Sequence, residues 1–286
     1  MSGPTPLPPL PEPLGVPVID AHTHLASTSR HAGLAPAVLV DLAASVGVVR
    51  IVDVGTDVPS SRETIELART HPGVIACVAI HPNDAARLGP RMDAGLRDLE
   101  ALIGPDVHGI GETGLDYYRT TDPDAQARQK DAFAAHIAWA KRWGLPLVIH
   151  DRDAHDDILD VLDAEGAPEK VMMHCFSGDA DFARRCLDRG AWLSFPGTVT
   201  FKPNEALREA LDVTPADRVL VETDAPYLTP MPHRGKPNAS CLIPHTVRFM
   251  AQRRGVPVDD LAATLYANAI ALFGPDGWTD TPGTTP

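Results

Sequence analysis

The sequence predicts a single (β/α)8 barrel with extra helices at its C-terminal end. Three observations carry that prediction. Eight short apolar runs alternate with helical patterns along the chain, at 16–20, 48–55, 74–80, 107–112, 145–150, 170–174, 191–195 and 218–223. The span from His22 to Asp224 covers 202 residues in seven steps, about 29 per step, which matches one strand, one helix and two short loops. Finally, residues able to bind metal stand where the apolar runs end, as they do at the mouth of such barrels.

The elements follow in order. The first fifteen residues hold six prolines and read as an extended, frayed arm (1–15), and 275–286 read as a flexible tail. The folded part is then 16–274. Several runs are apolar and β-branched on consecutive residues, as strands buried on both faces should be. Asp122-Pro123 starts a helix on which Phe133, Ile137 and Ala140 continue one face. Pro36 opens a helix before the second run and Pro203 one before the eighth, and two more helical patterns follow at 242–254 and 257–273. A doubly wound open sheet would alternate in the same way, so the polar residues must decide between the two folds.

His22 and His24 lie two apart at the end of the first run, so their side chains share one face. Glu112, His150, His174 and Asp224 close the fourth, fifth, sixth and eighth runs. Six metal-competent groups from five strand ends exceed what one tetrahedral ion needs and suit two divalent ions sharing a carboxylate. His22, His24, Glu112 and Asp224 are assigned to the first ion, with Glu112 bridging to a second held by His150 and His174. Asp20 is expected to orient a histidine through its far nitrogen. The mixed N and O donors suit Zn, Mn, Fe or Co, and the carboxylates also admit Mg.

The segments DAHTHL (20–25), GETGLDYY (111–118), HDRDAHDD (150–157), HCFSG (174–178) and ETDAPYLTP (222–230) resemble, in order, the TatD-type metal-dependent deoxyribonucleases among the amidohydrolase-like metallo-barrels. The resemblance spans about 210 residues. It implies a barrel with a divalent-metal site that hydrolyses DNA phosphodiesters, often from the 3′ end, at single-stranded or frayed ends. It gives metal roles to the same six residues and sets Glu112 where some relatives use a modified lysine. One segment departs: the family often carries Arg-Asn-Glu-Pro where this chain has Pro237-Asn238-Ala239-Ser240 after Lys236.

For catalysis, Asp224 is the candidate proton acceptor from an attacking water and Glu112 the shared carboxylate. His81, Arg152, Asp116, Tyr117, Arg234 and Lys236 are candidate substrate contacts, the arginines because guanidinium matches phosphate oxygens. An amidohydrolase or lactonase acting on a small molecule with the same two metals is the alternative. Gly109–Gly114 fits a dinucleotide-binding fingerprint, but no helix opens there and Glu112 would repel a pyrophosphate. With 38 acidic and 25 basic residues the net charge is −13, which excludes a passive nucleic-acid coat and a membrane-surface protein. DNA is therefore expected as a transiently held substrate, with no membrane and no obligate protein partner. Four cysteines without a C-x-x-C pair and the lack of an apolar signal core point to a cytoplasmic chain.

Overall fold

The computed structural model describes residues 6–274. Eight strands form one sheet: β1 (Val18–Thr23), β2 (Val48–Val54), β3 (Val74–Val78), β4 (Val107–Asp116), β5 (Leu147–Arg152), β6 (Val171–Met173), β7 (Trp192–Phe195) and β8 (Val219–Val221). Each pairs in parallel with its sequence neighbour, in the order β1 to β8. The seam between β8 and β1 is tied at the mouth, where Asp224 N–H donates to the His22 carbonyl (3.0 Å) and His24 N–H to the Ala225 carbonyl (2.9 Å). Every strand is followed by at least one helix, and all eight expected strands are present. The chain is a (β/α)8 barrel, with Ile243–Arg254 and Val258–Phe273 as its final helices.

Two apolar sets build the core. Ile19, Val52, Ile75, Val148, Met172 and Leu220, from six different strands, belong to a small cluster that fills the barrel lumen. The larger cluster, with Ile51, Ile110, Leu147, Ile149 and Leu193, packs the strands against helices such as Pro123–Trp143. That helix starts as its sequence dictates: Asp122 Oδ2 accepts the Ala125 N–H (3.0 Å), proline occupies the first turn, and Gly144 ends it at φ 63°. Its Phe133 and Ile137 are fully buried, each worth about 1.5–3 kcal/mol relative to exposure.

The periodicity of two then sets the functional face. Val148 and His150, Met172 and His174, and Leu220 and Glu222 share strand faces, so the lumen turns from apolar to polar toward its C-terminal mouth. β4 runs four residues past the expected end at Glu112, because Gly114, Leu115 and Asp116 still pair with His150, Asp151 and Arg152. Gly114 permits this at φ +129°; a Cβ there would lie 2.1 Å from the His150 carbonyl oxygen.

The arm expected to fray behaves differently over its described part. It forms no helix or strand, yet Leu14 is buried and donates its N–H to the Val46 carbonyl (3.1 Å), and Arg248 donates to the Glu12 carbonyl (2.6 Å). An apolar side chain among the prolines is enough to pin the segment. Residues 1–5 and the 275–286 tail lie outside the described residues. Among the described residues no single helix is long and apolar enough to cross a membrane.

Candidate metal centre

Strand ends bring the six predicted ligands together. Glu112, only 5% exposed, stands at the centre, and its two oxygens face different neighbours. Oε2 lies 3.6 Å from His22 Nε2 and 3.5 Å from His24 Nε2. Oε1 lies 2.8 Å from His150 Nδ1, 2.9 Å from His174 Nε2 and 3.5 Å from His81 Nε2. Asp224 Oδ1 completes the first group, 3.5 Å from His24 Nε2 and 3.9 Å from His22 Nε2. Asp224 and Cys175, beside the ligand-bearing strand ends, both hold positive φ (51° and 45°), a backbone cost typical of functional sites.

The first group fits a divalent ion. Its separations are too long for hydrogen bonds and near the ~3.3 Å edge between donors sharing one ion at 2.0–2.1 Å. His22 is fully buried, stacked on His174 at 3.8 Å, and neither of its ring nitrogens has a hydrogen-bond partner. A buried orphaned imidazole is costly unless a cation accepts its lone pair.

The far nitrogens set the tautomers. His24 Nδ1 donates to the Val54 carbonyl (2.8 Å), leaving the Nε2 lone pair facing Glu112 and Asp224. Asp53 fixes the turn behind it, accepting the Leu25 N–H at 2.7 Å and the Thr64 hydroxyl at 3.0 Å. His174 turns Nδ1 toward Glu222 (3.3 Å), whose Oε1 also accepts the Cys175 N–H at 2.7 Å. His150 turns Nε2 toward Asp116 (3.4 Å). His81 differs: its Nδ1 accepts the Asn83 N–H (3.0 Å), so its proton sits on Nε2 and faces the site as a donor.

Charge is tightly coupled in this cluster. Burial works against the charged form of His24, but Asp224 and Glu112 outweigh it and push its pKa up to about 9. Burial opposes the charge on His174 too, and Glu112 and Glu222 raise it well above the ordinary histidine value. His22, desolvated and beside His174, is held neutral. Burial would raise the Glu112 and Asp224 carboxyls, yet the surrounding histidines hold both below the carboxylate range. Protons thus compete with cations for the same donors.

A family model described as TatD related DNase matches residues 19–274. The chain belongs to the TatD family. An uncharacterized metal-dependent hydrolase TatD of Mycobacterium tuberculosis is 44% identical over 91% of this chain and 99% of its own length. A protein of Escherichia fergusonii named 3'-5' ssDNA/RNA exonuclease TatD is 34% identical over 82% of this chain and 92% of its own. Among solved structures, YJJV, a TatD homologue of Escherichia coli K12, superposes with a TM-score of 0.81 at 26% identity, covering 90% of this chain and 97% of that one. This TatD-family protein is accordingly a metal-dependent hydrolase.

Several expectations for its site need correction. Asp20 does not reach an imidazole: its oxygens accept the Thr223 N–H (2.9 Å) and hydroxyl (2.6 Å), so it braces the β8–β1 seam. Burial pushes its pKa up to about 7 against the bonds from Thr223 and Ser240. Asp116 holds the place foreseen for Asp20, orienting His150 while it accepts the Asn83 amide (2.9 Å) and the Arg119 N–H (2.9 Å). Tyr117 points to the opposite side of β4, and its hydroxyl donates to Asp157 (2.6 Å). Arg234 and Lys236 are exposed outside the cleft, Arg234 lying over the Phe201 ring at 4.5 Å. The divergent 236–240 segment turns away because Asn238 is buried and bonds the Thr223 and Tyr227 carbonyls.

Arg152 does line the cleft, over the Tyr118 ring at 4.0 Å, and no described carboxylate pairs with it. Three cleft cations escaped the sequence reading: Arg30 and Arg87, on helices after β1 and β3 and paired with Glu63 and Asp84, and Arg119, just after β4. Glu222, Asn83 and Asp53 escaped it as well. A buried carboxylate at 222, inside an apolar strand end, was the one signal available.

Proposed function

We propose that the chain hydrolyses phosphodiester bonds of DNA at single-stranded or frayed ends, releasing nucleotides from the 3′ end with two divalent ions as cofactors. The observation that carries this reading is Glu112, one oxygen of which faces His22 and His24 and the other His150 and His174. In this reading His22, His24 and Asp224 would hold one ion and His150 and His174 the other, with Glu112 shared between them. When bound, such ions acidify a water and neutralise charge on phosphoryl oxygens.

The protein supplies the rest. Asp224, kept ionised by its histidine neighbours and 15% exposed at the mouth, accepts the proton of the attacking water. His81 presents its Nε2–H to a phosphoryl or leaving-group oxygen. Arg152, with no competing carboxylate, holds a substrate phosphate. The cleft, about 1340 Å³, exceeds the ~300–1,000 Å³ of small-molecule sites. Two of its four arginines, Arg119 and Arg152, are unpaired by any described carboxylate, while Arg30 and Arg87 pair with Glu63 and Asp84. The size and the two available guanidinium groups favour a charged polymer over a small ester or amide. The relative named as an ssDNA/RNA exonuclease supports the same substrate class. A net charge of −13 fits brief capture of an end better than clamping along a duplex.

The test is release of mononucleotides from a 3′-terminal single-stranded oligonucleotide, with chelator and with added Zn, Mn or Mg. Metal-dependent release is expected. Hydrolysis of small esters or lactones without any nucleotide release would overturn the proposal.

A further inference from the structure

The cleft is chemically two-sided. Its cations come from one part of the barrel: Arg30 and Arg87 stand on helices after β1 and β3 and pair with Glu63 and Asp84, while Arg119, just after β4, and Arg152, the last residue of β5, have no described carboxylate partner. The segments after β6, β7 and β8 supply Phe176, Pro203, Leu207, Tyr227 and Leu228 beside the neutral Ser177, Thr198 and Asn204, and no lysine or arginine among the described cleft residues. β4 and β8 stand on opposite sides of an eight-stranded barrel, so Arg119 and Arg152 form a cationic wall that faces the apolar wall after β8 across the metal ligands.

Tyr227 is the exposed member of the apolar wall. The residue is 56% exposed, among the few large apolar residues so placed. Its ring packs on no other aromatic or cationic group among the described residues. Its hydroxyl has no hydrogen-bond partner there either. Yet its backbone is fixed: its N–H donates to the Asp224 carbonyl (2.9 Å), its carbonyl accepts from buried Asn238, and Leu228 beside it holds φ 58°. The ring is thus held on a fixed backbone three residues from Asp224, lines the cleft and is available for stacking.

We infer that Tyr227 is a stacking platform for an unpaired nucleobase next to the cleaved phosphate, and that the wall it stands on selects single strands. The inference rests on the phosphodiesterase reading above. A single strand offers a charged backbone on one side and bare base faces on the other, matching the two walls; a duplex hides its base faces within the stack. Stacking on an aromatic ring tolerates any base, so the platform gives strand selection without sequence selection.

The experiment measures binding of metal-loaded protein to a 5′-labelled oligothymidylate with phosphorothioate linkages that slow turnover. Its counterpart carries abasic residues at the 3′ end. The wild type should prefer the base-bearing strand by about 5- to 150-fold, the range for one aromatic–base stack. Tyr227→Ala should bring that ratio close to one, and Tyr227→Phe should preserve it. Tyr227→Trp guards against misfolding of the alanine variant: its fluorescence should be quenched by the base-bearing strand and not by the abasic one. Equal binding of the two strands by wild type, or an unchanged ratio in Tyr227→Ala, would overturn the platform. Base-dependent binding without nucleotide release would support the platform and overturn the nuclease reading alone.

Discussion

Glu222→Gln tests whether the histidines are tuned by the carboxylates behind them. Glu222 is fully buried, with Oε1 3.3 Å from His174 Nδ1 and 2.7 Å from the Cys175 nitrogen. At that separation a unit charge pair is worth about 5 kcal/mol gross at an effective dielectric near 20, an upper bound before desolvation is counted. Partners of metal-bound histidines typically cost 10–100-fold in metal affinity when replaced, about 1.4–2.7 kcal/mol, and the loss here should fall in that range. Glutamine keeps an oxygen for the Cys175 N–H, so melting temperature should change little. The assay is the metal concentration giving half-maximal hydrolysis, alongside metal retained after dialysis. An unchanged half-saturating concentration would refute the reasoning and leave Glu222 as a brace for the Cys175 turn.

Other outcomes follow from the same geometry. Arg152→Gln should weaken binding of single-stranded oligonucleotides and lower the slope of log K against log salt by about 0.7, the value for one phosphate contact on a single strand; an unchanged slope would return Arg152 to a purely structural pairing with Tyr118. Asn238→Ala strips the Thr223 and Tyr227 carbonyls of their buried partner and should cost about 2 kcal/mol or more in urea unfolding. Lys130 and then Tyr117 hold the Asp157 carboxyl below its ordinary range. Its contribution to stability is therefore present above the unfolded value near ~3.9 and lost as pH falls through the lower folded value. Asp157→Asn should lower the melting temperature at pH 7, with the gap to wild type closing in acid; a constant gap would refute the linkage. Tyr117→Phe should leave nucleotide release unchanged, because the ring lies outside the cleft.

The barrel was legible because several of its strands are apolar on consecutive residues and five of the eight end on groups that cannot be buried unpaired. His22, His24, Glu112, His150, His174 and Asp224 announce themselves in that way, and they meet where the register predicted. What surrounds them was less legible, since it depends on which loops fold over one another. Asp116 takes the place expected of Asp20 because β4 continues through Gly114, which carries Asp116 up beside His150, while Asp20 is held by Thr223 at the β8–β1 seam. Tyr117 then falls on the outer face by alternation. Arg234 and Lys236 look like a phosphate patch in sequence, but Asn238 folds their loop away, while Arg30, Arg87 and Arg119 converge from segments with no shared motif.

Glu112 is proposed to be shared between two ions. Metal content per chain, measured by mass spectrometry after exhaustive dialysis against metal-free buffer and reloading, tests it most directly. Two divalent ions per wild-type chain are expected, with loss of at least one in Glu112→Ala, together with loss of nucleotide release and an intact circular dichroism spectrum. A single ion in the wild type, or two ions retained without Glu112, would contradict it.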